Sequence, residues 1–155
     1  MTDAVLAELR DRARIADTLH AYSQGVDRVD IDLLLDLFTG DAAFDYGHGN
    51  VTRGRAALAE LFRAATGRYT ATNHHCSTIN YLELGEGRAQ TVTYVYAFHQ
   101  NGDSGLQLHV WGNYEDSLVD EGDRWRIRER RVRVAGVKTT AAEDVPERFE
   151  RYARS

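Results

Sequence analysis

The sequence predicts an α+β domain in which three N-terminal helices pack on a strongly curved, mostly antiparallel sheet. Three observations carry this. Up to about residue 67, apolar residues recur at helical spacing. Beyond it, four long β-rich runs are separated by short Gly-containing turns. The single proline, Pro146, lies near the end and interrupts neither block. Helices in one block and strands in another mark the α+β class. A sheet bent around a helix leaves a conical cavity, the kind of place where small molecules bind.

Each element has its own signature. Val5 and Leu9, then Ile15, Leu19, Tyr22 and Val26, define one face of a long first helix. Asp30 can cap a short second helix through Leu33, Leu34, Leu37 and Phe38, ended by Thr39-Gly40-Asp41. Ala42 to Tyr46 reads as a short strand. A third helix runs from about Arg55 to Ala65 and stops at Gly67. The long strands are Thr70 to Leu84, Arg88 to Gln100, Gly105 to Val119 and Arg124 to Val137. Gly112 inside the third of them marks a bulge or bend. Glu143 to Ser155 reads as a lid helix over the cavity or a frayed tail, the short helix being favoured.

A chain of 155 residues is one domain. Its formal net charge of -5 argues against nucleic acid or an anionic membrane as partner. No apolar run approaches the roughly 20 residues of a membrane span. Met1-Thr2-Asp3-Ala4 lacks the basic and apolar segments of a secretory signal, so a cytoplasmic protein is expected. Cys76 is the only cysteine, which excludes an intramolecular disulfide and a cysteine-based zinc cluster. In Arg124 to Arg131, strand alternation separates Trp125 and Ile127 from the arginines. Glu83, Glu86, Glu115, Asp116 and Asp120 are available for cross-strand ion pairs with that charged face. Phosphate-binding glycine motifs and the Gly-x-Ser-x-Gly elbow are absent, so nucleotide-dependent and serine-hydrolase chemistry is unsupported.

Several residues could carry chemistry. Asp27 closes the first helical segment near the edge of its apolar face, as a solvated carboxylate or as one that orients a base. Tyr22 on the apolar stripe and Tyr46 in the short strand are core phenols or cavity hydrogen-bond donors. His74 and His75 are consecutive in a strand and point to opposite faces, so at most one enters the cavity and they cannot share a metal ion. His109 shares a strand face with Trp111 and Asn113, which suits a polar pocket or a subunit surface equally. His20 and His48 have no assigned role, and His99, near a turn, is expected to be solvated.

Taken together, Tyr22-Ser23-Gln24-Gly25-Val26-Asp27-Arg28-Val29-Asp30, Leu37-Phe38-Thr39-Gly40-Asp41-Ala42, Gly54-Arg55-Ala56-Ala57-Leu58, Asn73-His74-His75 and Tyr114-Glu115-Asp116 running into Trp125-Arg126-Ile127 resemble one family. It is the SnoaL-like branch of the nuclear transport factor 2-like superfamily, and the resemblance spans Leu6 to Val137. It implies a cone-shaped α+β barrel and, as in most members, no metal or organic cofactor. Members include scytalone dehydratase, bile acid 7α-dehydratase, hexachlorocyclohexane dehydrochlorinase, ketosteroid isomerase and polyketide cyclases. Dehydratase-like members place functional residues where Tyr22, Asp27, Tyr46 and His75 stand. Alignment with those members, which keeps the distance to the Gly-rich turn and Ala89, favours His75, with His74 as the fallback. His109 falls near a further polar position of such enzymes, and Arg130 is nearest to an arginine that some use. A ketosteroid isomerase would need a second buried acid where Gln107, His109 and Trp111 stand.

The resemblance therefore implies a cofactor-independent lyase that eliminates water or another small leaving group from a hydrophobic cyclic, polyketide-like or steroid-like molecule. His75 would be the base, oriented by Asp27. Tyr22 and Tyr46 would hydrogen-bond the developing negative charge, and His109 would assist the leaving group. An isomerase, a cyclase and a small-molecule binding module are the alternatives. A homodimer or homotrimer formed through the open sheet face is expected, and Tyr94, Tyr96 and Phe98 either line the cavity or make that contact.

Overall fold

In the computed structural model of the chain, residues 2–47 and 49–141 are described. Glu143 to Ser155 lie outside them. Helix α1 (Asp3–Arg28) starts at Thr2, whose hydroxyl accepts the Val5 amide, and buries Ile15, Leu19, Tyr22 and Val26 as the spacing predicts. Val5 and Leu9 are exposed instead, because the first two turns run past the core and Ile15 is the first buried residue. The helix ends at Val29 with φ +55, unusual for a β-branched residue. Its amide and that of Asp30 return to the carbonyls of Val26 and Gly25, closing the last turn. A Cβ at Gly25 would lie 2.8 Å from Leu34, so glycine there lets the next helix pack closely.

Helix α2 (Ile31–Asp36) is capped by Asp30, whose Oδ1 accepts the Leu33 amide at 3.0 Å. It stops before Phe38, earlier than its apolar spacing suggests. The Leu37 carbonyl accepts from Ile127, and Phe38 already opens β1 (Phe38–Asp45), so sheet pairing overrides helical periodicity. A two-residue strand β2 (Thr52–Arg53), not expected from the sequence, leads to α3 (Arg55–Thr66), which ends at Gly67. The remaining strands are β3 (Tyr69–Gly85), β4 (Arg88–Asn101), β5 (Gln107–Asp120) and β6 (Trp125–Thr140). Their order is β2-β1-β6-β5-β4-β3, antiparallel except for the parallel β1–β6 pair. The sheet is open, with β2 and β3 as its edges. No helix among the described residues is long and apolar enough to cross a membrane.

Bulges decide which side chains face the helices. β4 is regular against β5, and Ala89, Thr91, Thr93, Val95 and Ala97 are buried on its inner face. Tyr94, Tyr96 and Phe98 therefore belong to the outer face and do not line the interior. β3 carries three irregularities against β4, leaving Thr70, Thr78 and Leu82 unmatched. In β6, Arg128 is skipped between Ile127 and Glu129, which shifts the alternation by one. Gly112 sits at a further irregularity, where a Cβ would lie 2.1 Å from the Arg133 carbonyl oxygen, so the bend anticipated there is real.

The β6 shift corrects the simple picture of one apolar and one charged face. Trp125 and Ile127 are buried as expected, but Arg130 turns inward as well. Its guanidinium donates to both Asp116 oxygens, at 2.7 and 2.8 Å, and lies between the rings of Tyr22 and Tyr114, at 4.2 and 4.3 Å. Burial works against the Arg130 charge, but the adjacent Asp116 carboxylate outweighs it and holds the guanidinium pKa above its ordinary value. The expected surface partners differ: Arg124 and Arg126 pair with Asp36, Arg126 also with Glu121 and Asp123, Glu115 pairs with Arg133 beyond that run, at 3.1 Å, and Asp116 belongs to the interior.

Asp116→Ala strips the partner from a fully buried cation and should cost roughly 3–5 kcal/mol in urea unfolding. Glu115→Ala, one residue away but in a wet pair, should cost about 1 kcal/mol or less. Equal costs for the two variants would show that Arg130 does not need its buried partner.

Candidate active site

The inner face of the sheet, α1 and α3 enclose a cavity of about 530 Å³. Its body is apolar: Val26 from α1, Leu61, Phe62 and Ala65 from α3, and Val95, Ala97, Leu108, Val110 and Val132 from the strands. Tyr22, Tyr46, Thr72, His74, His99 and Tyr114 add polar groups. Arg68 and Arg133 mark the exposed rim.

The last turn of α1 delivers Asp27 to β3. This carboxylate is buried and accepts the Thr72 hydroxyl at 2.9 Å and the His74 backbone amide at 3.0 Å. Its Oδ1 also lies 2.7 Å from His74 Nδ1, and both side chains keep less than a tenth of their surface. A carboxylate accepts only, so Nδ1 carries the hydrogen and Nε2 remains as the lone-pair nitrogen of the neutral ring. A base with a lone pair on a cavity wall, fixed by a carboxylate behind it, can take a proton from a bound molecule.

His75, the residue favoured by the family resemblance, does not occupy this place. It pairs with Tyr96 across the β3–β4 ladder on the outer face, where its Nε2 meets Asn73 Oδ1. His74 pairs with inward-facing Ala97. His109 is also on the outer face, its Nδ1 2.7 Å from the Tyr96 hydroxyl and its ring stacked near Trp111. Its neighbours Leu108 and Val110 take the cavity positions, so His109 does not reach a molecule held inside.

Tyr22 and Tyr46 do line the cavity. Burial, reinforced by Tyr46, pushes the Tyr22 phenol well above its ordinary pKa, with Arg130 acting the other way. Tyr46 keeps 38% of its surface, yet its cavity surroundings, and then Tyr69, push the phenol up to about 12. Burial likewise raises Tyr114, whose ring meets Tyr22 edge-on at 5.5 Å. All three remain neutral donors near neutral pH. Burial also raises the Cys76 thiol, which lies 3.1 Å from the Ser23 hydroxyl, so it is no thiolate nucleophile.

His99, expected to be solvated, is the residue the sequence reading missed. It lines the cavity edge-on to His74, with ring centroids 5.2 Å apart, and packs against Tyr69. Its Nδ1 is buried without a hydrogen-bond partner. Burial first, and His74 second, lower its pKa to about 4. Its signal was the odd-numbered alternation of β4, which runs unbroken from Ala89. Among the described residues no three His, Cys, Asp or Glu side chains converge as a metal site requires.

The sequence matches the model of the SnoaL-like domain over residues 7–131. A provisionally named scytalone dehydratase from Novosphingobium aromaticivorans DSM 12444 superposes with a TM-score of 0.79 at 25% identity, covering 97% of this chain and 95% of that one. A provisionally named aromatic ring hydroxylase from the same species gives 0.80 at 27% identity, covering 85% and 94%. The hexachlorocyclohexane dehydrochlorinase LinA-type3 from Novosphingobium barchaimii LL02 gives 0.79 at 15% identity, covering 88% and 94%, a likeness of fold alone. No curated protein sequence matches.

The depressed His99 pKa has a consequence for stability. Above about pH 6.5 the ring is neutral in folded and unfolded chains alike, and it contributes no pH dependence. As pH falls from there towards about 4, only the unfolded chain binds the proton, so stability is lost across that window. The full loss is about 3 kcal/mol, from roughly 1.4 kcal/mol per pKa unit. His99→Gln should remove that part of the acid destabilisation in urea titrations at pH 7 and pH 4.5. An unchanged difference between the two pH values would place His99 in water.

Proposed function

Because the chain belongs to the SnoaL-like domain family, we propose that it is a cofactor-independent lyase, eliminating water or a similar small group from a hydrophobic cyclic molecule. The observation that carries this is the buried Asp27–His74 pair on the cavity wall, 2.7 Å apart. His74 Nε2 takes the proton from carbon, the C–H electron pair becomes the new double bond, and the carbon–oxygen bond to the leaving hydroxyl breaks. Asp27 holds the Nδ1 hydrogen and balances the imidazolium that forms. The neutral phenols of Tyr22 and Tyr46 donate to the charge developing on an enolate oxygen or on the departing hydroxyl. With His109 on the outer face, the proton that completes the leaving water comes from within the cavity, from the His74 imidazolium or a tyrosine. The provisional name of one structural neighbour at 25% identity, a scytalone dehydratase, points to the same reaction type.

Asp27→Ala and His74→Gln should each lose at least about 100-fold in turnover while staying folded, the usual share of a positioned base. His75→Ala and His109→Ala should stay within about twofold, since neither touches the cavity. A product lighter by one water marks elimination, and an isomeric product marks the isomerase alternative. Before any substrate is known, ¹⁵N spectra of the imidazoles at alkaline pH should show His74 protonated on Nδ1, and Asp27→Ala should disturb that tautomer. A dominant Nε2–H form in the wild type would remove His74 as the base.

We also propose that the outer sheet face carries a subunit contact, giving a homodimer or homotrimer. Tyr94 and Trp111 keep 52% and 42% of their surface there, beside Tyr96, Phe98 and His109. Clustered exposed aromatic rings of this kind mark association surfaces. Trp111→Glu should then sediment as a monomer; a monomeric wild type would dispose of the contact.

A further inference from the structure

The cavity has an uneven charge distribution. Among the described residues, no Asp or Glu side chain lines it, but two arginines do, both at the rim. Arg133 is already engaged with Glu115 at 3.1 Å. Arg68 is different: it is exposed, lines the cavity, and among the described residues has no ion pair or side-chain hydrogen bond. It is not on a loose surface loop. Arg68 joins Gly67, which ends α3, to Tyr69, which begins β3, and its carbonyl accepts the Gly102 amide. Its guanidinium is near enough to Tyr46 to oppose the rise of that phenol's pKa. Tyr69, the next residue, packs on His99.

We propose that the substrate is an organic anion, an apolar cyclic carboxylic acid whose carboxylate sits on Arg68 while its ring fills the cavity. The polarity runs in the right direction for such a molecule. An apolar ring gains from the interior, and a carboxylate left at the wet rim avoids the desolvation that burial would impose. The planar guanidinium can bind both carboxylate oxygens at once, and the charge-assisted pair fixes which end of the ring enters first. A cation that is unpaired among the described residues, at the mouth of an apolar funnel, also draws anions out of solution, although the protein as a whole is negative. That orientation presents the far part of the ring system to His74. The proposal deepens the lyase reading and rests on it only in calling the bound acid a substrate.

The test is binding of two inert probes of the same shape, 2-naphthoate and 2-naphthamide, to the intact chain by calorimetry at low salt and mildly alkaline pH. The carboxylate should bind about tenfold more tightly than the amide, the worth of one good charge-assisted contact. Arg68→Gln should bring the two affinities together without weakening the amide, and Arg68→Lys should keep part of the preference. Arg133→Gln should leave it in place. Equal binding to the wild type, a preference that survives Arg68→Gln, or no binding of either probe at millimolar concentration would each overturn the proposal. The probes undergo no reaction, so a failed His74 tautomer or turnover measurement would sink the lyase reading without altering this result.

Discussion

The Asp27 carboxylate is the constraint from which the site follows. An ionised carboxylate taken out of water is costly unless donors replace its hydration. Here one short stretch of β3 supplies them: the Thr72 hydroxyl, the His74 amide and the His74 ring. Those bonds exist only if the last turn of α1 ends against that stretch. The tight turn into α2, with Gly25 under Leu34 and Val29 in the left-handed region, holds the helix end there. Helix placement and imidazole orientation are thus one structural fact. A ring anchored through both its backbone and its Nδ1 has little freedom to turn away from the cavity.

A second buried charge works from the opposite side of Tyr22. Arg130 and Asp116 neutralise each other, and the guanidinium is clamped between the faces of Tyr22 and Tyr114. Such a pair is weak evidence for stability in itself, because desolvation consumes most of the attraction. Its effect is on position. A cation held over both rings fixes the tilt of two phenols that line the cavity.

Much of this was legible in the sequence, and what was not has separate causes. Helical spacing found α1 and α3, turn chemistry found the hairpins, and Gly112 announced its bend. In β6 the expected faces held as far as Ile127 and failed past the skipped Arg128. Counting from the Gly85-Glu86-Gly87 turn to the His pair crosses two unmatched residues in β3, Leu82 and Thr78, which together leave the inward parity unchanged. The preference for His75 rested instead on aligning the family pattern, and it is one residue out of step. Pairing with regular β4 settles the matter, since His74 stands opposite Ala97. The skipped Arg128 hides Arg130 among arginines that do face solvent. His99 was recoverable from β4 parity alone, but its place near a turn suggested water. Arg68 was not recoverable at all: a free guanidinium becomes informative only when its neighbours and the cavity wall are known.

The two cavity histidines then divide by environment. Their rings are 5.2 Å apart in the same apolar space, yet only His74 has a carboxylate behind it. Burial first, and neighbouring His74 second, keep His99 neutral down to about pH 4, outweighing the opposing pull of the Leu108 backbone and of the more distant Asp27. In the proposed elimination that asymmetry does the sorting. Two chemically identical side chains receive different tasks, with His74 carrying protons and neutral His99 restricted to hydrogen bonding. Placing the ligand's own negative charge at the Arg68 rim fits this division. A carboxylate bound deeper would favour protonated His99 and pull a second proton into the site, erasing the difference on which a single base depends.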